Sequence, residues 1–344
     1  MSWLAVLVTL MVSAALSGLL SRYRGRYALL DKPNARSLHS KLTPRVGGLA
    51  ILAGVVAGYA CTWQDWWFPG MASALLALFL VAAVSFADDV RPLPAWLRFL
   101  VHFIAAILLV YPAGFDPALQ LLPGVEWLGP LWLLRVFSVL FTVWLVNLYN
   151  FMDGMDGLAG GMAVFGFGTL ALLGWSAGSP AYAGMVIVVA TAALGFLPFN
   201  FPPARLFMGD VGSGALGFLA AFFMLLAERL QLFPLWLGAL AFSPFLVDAT
   251  WTLARRALRG RRPWQAHREH FYQRLVQSGW SHRRTTLWAY ALMLKCSLLS
   301  LLAFRVGSAG VGGLLLGWMA AVYVAIIVYV NARERRPLSK VEET

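Results

Sequence analysis

Between two long apolar runs lies NLYNFMDGMDGLAGG (residues 147–161), where Asn147, Asn150, Asp153 and Asp156 recur at every third position, with Gly154, Gly157, Gly160 and Gly161 among and after them. A carboxylate at bilayer depth costs about 2.5–3.5 kcal/mol even on insertion scales. Two of them beside a glycine-loosened backbone read as a polar site at a membrane edge, suited to a metal ion or a phosphate. On a straight α-helix each three-residue step drifts by about 60°, so neighbours in the series share a face and its ends do not. Gly154 and Gly157 are expected to break the helix and let backbone approach a ligand closely. The competing reading is a polar turn between helices.

Other segments add to this set. Asp88 and Asp89 close an apolar run ahead of Arg91, Pro92 and Pro94. Adjacent carboxylates repel, and a helix C-terminus favours cations, so the pair calls for a metal, a lysine, or Arg91 as partner. In LPFNFPPARLFMGDVGSGALGF (residues 197–218), Asn200 and two prolines end one helix. Asp210 stands just before the expected start of the next, near Gly212–Ser213, as an N-cap or a metal ligand. Oxygen ligands without cysteine favour Mg²⁺, or Mn²⁺, over zinc, and suit a phosphorylated substrate. In residues 255–275, His267 and His270 sit one turn apart with Arg268 and Arg274 close by. Arg forks and His donors suit a phosphate; a basic loop that only orients the chain is the alternative. Residues 31–48 mix His39 and Lys41 with further cations, Pro and Gly, and read as a second phosphate-holding loop. Asp248 is either a packing hydrogen-bonder or part of the site wall.

The elements that must position these residues are membrane helices. Of the 344 residues 60% are apolar and 12% charged, against about 25% charged in soluble domains. Apolar stretches near 3–20, 47–63, 70–87, 98–113, 131–149, 159–177, 181–199, 213–227, 233–253, 287–304 and 309–330 predict an all-α polytopic protein. It has about eleven spans, each near the length that crosses a bilayer, and forms one integral-membrane domain over residues 1–344. The first run lacks a basic leader region and reads as a retained helix. With the N-terminus outside (periplasmic) and the C-terminus inside, Lys and Arg crowd the inside loops, and the outside loops keep only Arg229 and Arg305. The loops 21–46, 88–97, 147–160, 200–213 and 254–286 then share the inside face and are expected to form one active site.

The net charge of +12 is explained by these loops, which orient helices and meet anionic membrane lipid. No nucleic-acid motif accompanies them. Cys61 and Cys296 make neither a metal pattern nor a disulfide framework.

The ordered set DKPNARSLHSKLTPRVGGLAI, FADDVRPLP, NLYNFMDGMDGLAGG, FNFPPARLFMGDVGSG and FLVDATWTLARR closely resembles the polyprenyl-phosphate N-acetylhexosamine-1-phosphate transferases. This is the glycosyltransferase 4 family, which includes the phospho-MurNAc-pentapeptide translocase. The resemblance implies a bacterial inner-membrane enzyme that moves a sugar-1-phosphate from a cytoplasmic UDP-N-acetylhexosamine to undecaprenyl phosphate, releasing UMP. It implies Mg²⁺ held around Asp210 and Asn150, and essential acids at Asp88, Asp89, Asp153 and Asp156. It also implies a nucleotide-side role for Asn200 and a lipid-phosphate role for Lys41 or His39. The peptidoglycan enzyme has a histidine cluster in its last large inside loop, where this chain has HREHFYQRL. That departure points to the branch initiating O-antigen and related envelope glycans, some of whose members use 6-deoxy sugars. A homodimer is an admissible assembly.

The residues fit this chemistry independently. Phosphoryl transfer needs charge neutralisation and positioning more than covalent help, and a phosphate monoester, with a second pKa near 6, is already mostly dianionic at neutral pH. The acids are therefore expected to hold Mg²⁺ and shape the site, with Asp88 or Asp89 handling any residual proton. An aspartyl-phosphate intermediate is the alternative route. A secondary transporter would also bury Asp and Asn in broken helices, but near the midplane and often within repeats. Here the acids cluster at the inside ends of the helices, without a repeat.

Overall fold

The computed structural model describes residues 2–23, 29–31, 42–62, 69–111, 119–126, 129–262 and 267–334. The chain runs through α1 (Trp3–Leu20), a two-stranded antiparallel pair β1 (Leu30–Asp31) and β2 (Thr43–Pro44), α2 (Gly47–Ala60), α3 (Met71–Val90) and α4 (Ala95–Val110). A small hairpin, β3 (Gln120–Leu122) and β4 (Val125–Glu126), precedes α5 (Leu131–Met152), α6 (Leu158–Ser176), α7 (Pro180–Asn200) and α8 (Gly209–Arg229). The remainder comprises α9 (Leu235–Ala241), α10 (Ser243–Leu258), α11 (Phe271–Gln277), α12 (His282–Val306) and α13 (Ala309–Glu334).

Among the described residues every apolar run of the sequence falls mainly on helix. Among the described residues eight helices are long and apolar enough to span a bilayer, and α2 and α4 are shorter apolar helices. The run at 233–253 is not one straight span: α9 and α10 meet at 82°. Pro244 stands in the first turn of α10, where its missing N–H costs nothing at a helix start but cannot continue the ladder of α9. The Ser243 hydroxyl fixes the corner, donating to the Leu240 carbonyl at 2.7 Å and lying 2.6 Å from the Tyr323 hydroxyl of α13.

Helix α8 is the axis of the molecule. Residues 211–228 are all buried, which matches a helix apolar on every side, and it packs against α2, α3 and α5. Glycine lets backbones touch along it. A Cβ on Gly48 of α2 would collide with the backbone of Gly212, and one on Gly217 would lie 2.8 Å from Val146 Cα of α5. Helices α1 and α13, by contrast, turn Trp3, Met11, Leu314 and Trp318 outward, as lipid-facing helices do. At the end of α8 away from Asp210, buried Glu228 accepts from the backbone N–H groups of Gln120 and Leu235 and ties the β3 hairpin to the start of α9.

Candidate active site

The two acids that close α3 point to different partners. Asp88 accepts from Arg98 Nη1 of α4 at 2.5 Å and from the Leu93 N–H at 2.6 Å. Asp89, 2% exposed, accepts from the Val211 N–H at 3.1 Å and lies 3.8 Å from Arg45 Nε. Arg45 also donates to the Asp89 carbonyl at 2.5 Å. The cations required at this helix end are thus Arg98 and Arg45, brought from other elements, while Arg91 is exposed.

Asp210 sits inside the first turn of α8, which begins at Gly209 with Met208 as N-cap. The sequence placed it ahead of the helix as a candidate cap. The helix starts earlier because Gly209, at φ 75°, supplies the turn, and Asp210 is left free for other work. Its Oδ1 accepts from Asn150 Nδ2 at 2.8 Å, and its Oδ2 lies 3.8 Å from Arg98 Nη1. Asn150 Nδ2 also reaches Ser213 Oγ at 3.2 Å. Arg98 therefore bridges Asp88 and Asp210, joining the ends of α3, α4, α5 and α8.

The break expected at Gly154 and Gly157 is present: α5 ends at Met152 and α6 begins at Leu158, with Gly157 at φ 75°. Asp153 lies just past α5. Burial away from water, and then the carboxylates of Asp210 and Asp89, raise its pKa well above the ordinary carboxylate range. Asp156 accepts from the Ala204 N–H at 3.0 Å and lies 3.6 Å from His282 Nδ1. Asn200 is 3% exposed and joins two loops, accepting from the Gly157 N–H and donating to the Leu206 carbonyl, each at 3.0 Å.

The His–Arg loop leans on this turn from the other side. Tyr272 donates to the Phe151 carbonyl at 3.2 Å, and Thr286 to the Asp156 carbonyl at 2.8 Å. Asp248 is the loop's anchor, accepting from the Phe271 N–H at 2.9 Å, from Thr252 Oγ1 at 3.1 Å and facing His270 Nδ1 at 3.2 Å. His270 and Arg274 are buried, and Arg274 donates to Asn331 Oδ1 at 2.7 Å. Glu269 pairs with Arg256 and, at 2.9 Å, with Arg261. Arg268 is half-buried, and its carbonyl accepts from Gln277. The His267 and His270 rings lie tilted against each other with centroids 4.9 Å apart. Partial burial, then His270 and Arg256, lower the His267 pKa to about 4. His39 and Lys41 lie outside the described residues.

Among the described residues no group of three or more His, Cys, Asp or Glu converges as a metal cage. The arrangement still fits Mg²⁺, which binds through one or two carboxylates plus water and substrate phosphates. Asp210 is in the place for this, with the Asn150 amide beside it, and its carboxylate is felt by Asp153. From the acids a groove of about 390 Å³ runs along α4 and α5. Its polar end is Arg98, Asn150 and Asp210, and its walls include Phe99, Leu140, Trp144 and Leu253.

Sequence reasoning missed Arg98 and His282 as site residues, and it placed Arg45 in the phosphate-holding loop 31–48 without seeing that Arg45 pairs with Asp89. Arg98 follows Asp88 by ten positions with two prolines between, and that Pro-rich turn is the one local sign that α4 folds back beside α3.

Residues 71–228 match the profile of glycosyl transferase family 4. A probable undecaprenyl-phosphate N-acetylglucosaminyl 1-phosphate transferase of Bacillus subtilis is 31% identical over 84% of this chain and 81% of the relative. A decaprenyl-phosphate N-acetylglucosaminephosphotransferase of Mycolicibacterium smegmatis is 32% identical over 77% and 73%. A phospho-N-acetylmuramoyl-pentapeptide-transferase of Geobacillus thermodenitrificans is 29% identical over 83% and 92%. Identity at this level over most of both chains, together with a site assembled from the shared segments, makes the chain a member of glycosyl transferase family 4.

Proposed function

We propose that the protein transfers N-acetylglucosamine-1-phosphate, or the 1-phosphate of a related N-acetylhexosamine, from its UDP derivative to a polyprenyl phosphate. The observation that carries this is the Arg98 bridge between Asp88 and Asp210 at the polar mouth of an apolar groove. A lipid tail belongs in the groove, and its phosphate then meets a cation and the acid cluster together. The names of the relatives point to the same donor and acceptor. The excess of Lys and Arg in the loops at the acid-bearing end supports a site facing the cytoplasm, in the bacterial inner membrane.

In this reading an oxygen of the lipid phosphate attacks the sugar-bearing phosphorus of the donor. A P–O bond forms there, the P–O bond to UMP breaks, and UMP leaves with the electron pair. Arg98 offsets phosphate charge and aims the acceptor, while Asp88 holds Arg98. Asn150 orients Asp210, and Asp210 and Asn150 would hold Mg²⁺, which supplies charge neutralisation on the donor diphosphate. The acceptor needs little help in losing a proton. Among envelope pathways we favour initiation of O-antigen or a related glycan, because HREHFYQRL lacks the histidine cluster of the peptidoglycan branch.

The test is purified protein in detergent with a panel of UDP-sugars, undecaprenyl phosphate and Mg²⁺, scored for UMP release. UMP should appear with UDP-N-acetylglucosamine or a close relative and disappear in excess chelator. UMP release without lipid acceptor, or full turnover in chelator, would overturn the reading.

A further inference from the structure

One polar pair in the groove has no part in the chemistry above. His102 of α4 is buried, and its Nδ1 lies 3.3 Å from Asn147 Nδ2 of α5. Both residues line the same cavity as Arg98, Asn150 and Asp210. His102 stands four positions after Arg98 on one helix face, about 6 Å further along the axis, and Asn147 stands about one turn before Asn150 on α5. The pair therefore lies one turn deeper in the groove than the acid cluster, among walls that are otherwise mainly apolar.

The surroundings fix which nitrogen of His102 carries the proton. Asn147 Nδ2 donates to the Val143 carbonyl at 2.7 Å, and that contact sets the amide's orientation, since the flipped amide would place two carbonyl oxygens together. The same NH₂ group has a second hydrogen, directed at His102 Nδ1. Nδ1 is therefore the acceptor, and Nε2 carries the N–H. Among the described residues Nε2 has no protein partner. A donor held in one tautomer within an otherwise apolar groove calls for an acceptor brought by the ligand.

We infer that His102, held as the Nε2–H tautomer by Asn147, binds the phosphate of the lipid acceptor from the membrane side, opposite Arg98. The inference rests on the proposed reaction and names a binding residue for its acceptor. Arg98 supplies charge from the mouth of the groove, and His102 supplies a directed hydrogen bond from below. Between them the phosphate is held at one depth with an oxygen facing the donor. A polyprenol, with a neutral hydroxyl in place of the phosphate, would gain much less from His102.

The experiment compares wild type, His102→Leu, His102→Gln and Asn147→Leu, measuring KM separately for undecaprenyl phosphate and for the UDP-sugar. A hydrogen bond to a charged group is worth about ten- to a hundredfold in affinity. His102→Leu should therefore raise acceptor KM by about that factor and leave donor KM unchanged. His102→Gln, which keeps an N–H donor, should recover most of the loss, and Asn147→Leu should fall between. Inhibition by a polyprenyl phosphate against the matching polyprenol is the second measurement: wild type should favour the phosphate, and His102→Leu should lose that preference by the same factor. A purely structural link between α4 and α5 would instead lower thermal stability and affect both substrates alike. That outcome, or an unchanged acceptor KM in His102→Leu, overturns the inference. Should wild type turn over no UDP-sugar, the reaction assignment fails by itself. His102 is then judged by thermal stabilisation with polyprenyl phosphate: loss of that stabilisation in His102→Leu upholds it, and its persistence overturns it.

Discussion

The acid cluster and the His–Arg loop both carry charged residues at the same end of the molecule, yet they use them in opposite ways. In the cluster, the Asp210 side chain stays 35% exposed, and Arg98 is shared between two carboxylates. In the loop, His270 and Arg274 are buried, and Asp248 spends its carboxylate on holding the loop to α10. Residues spaced for phosphate binding in the sequence thus include several whose contacts are with the protein itself. Charge density locates a functional region; exposure and hydrogen-bond partners decide which members face the ligand.

Breaking the cluster should have the largest effect. Asp210→Asn removes the charge that faces Arg98, and kcat/KM should fall by a hundred- to a thousandfold, roughly the scale of losing one electrostatic stabiliser. Size-exclusion profile and thermal midpoint should stay near wild type, because Asn still accepts from Asn150. Retention of more than a tenth of the activity would place Asp210 among the structural residues.

The loop should divide into binding and scaffolding residues. Arg268→Ala is expected to raise donor KM about tenfold or more with little change in thermal midpoint. Asp248→Ala strands the Phe271 N–H and His270, at about 1–3 kcal/mol for each buried group left unsatisfied, so its thermal midpoint should fall clearly. Equal stability of the two variants would erase the distinction drawn between them.

The smallest effect concerns pH. The His267 pKa is about 4 in the folded protein against about 6.5 for a free side chain. Between these values the unfolded chain binds more protons, so this contribution to stability is present above about pH 6.5 and is lost as pH falls toward 4. His267→Asn should flatten the fall of thermal midpoint with acid over that window, modestly because the ring is half-exposed. An unchanged slope would mean that His267 is more solvated than its neighbours imply.

Much of the architecture was legible because apolar runs and glycine breaks are local signals. The ends of α3 and α5 fell beside Asp88–Asp89 and Asp153 as the residues required. What escaped was pairing over distance. Nothing near Asp248 announces that Phe271 will bring it an N–H from 23 positions away. Asp89 meets Val211 across 122 positions, and only folding makes Arg45 its neighbour. The corner at Ser243 was missed for a related reason: hydropathy averages over α9 and α10 and cannot register a change of direction. The identity of the acids was readable, and their counter-ions were not.

The glycine contacts along α8 bear on how the enzyme can move. Where Gly48 meets Gly212 and Gly217 meets α5 through backbone alone, no side-chain rotamers stand between the helices to absorb a displacement, and packed interiors are stiff to begin with. Helices α2, α5 and α8 thus form a rigid frame carrying Asn150 and Asp210. The loop around α11 packs on α12 and α13 and meets that frame through the Tyr272 hydroxyl. Stiffness is therefore greatest where Asn150 and Asp210 are held, and the frame keeps the acids in register.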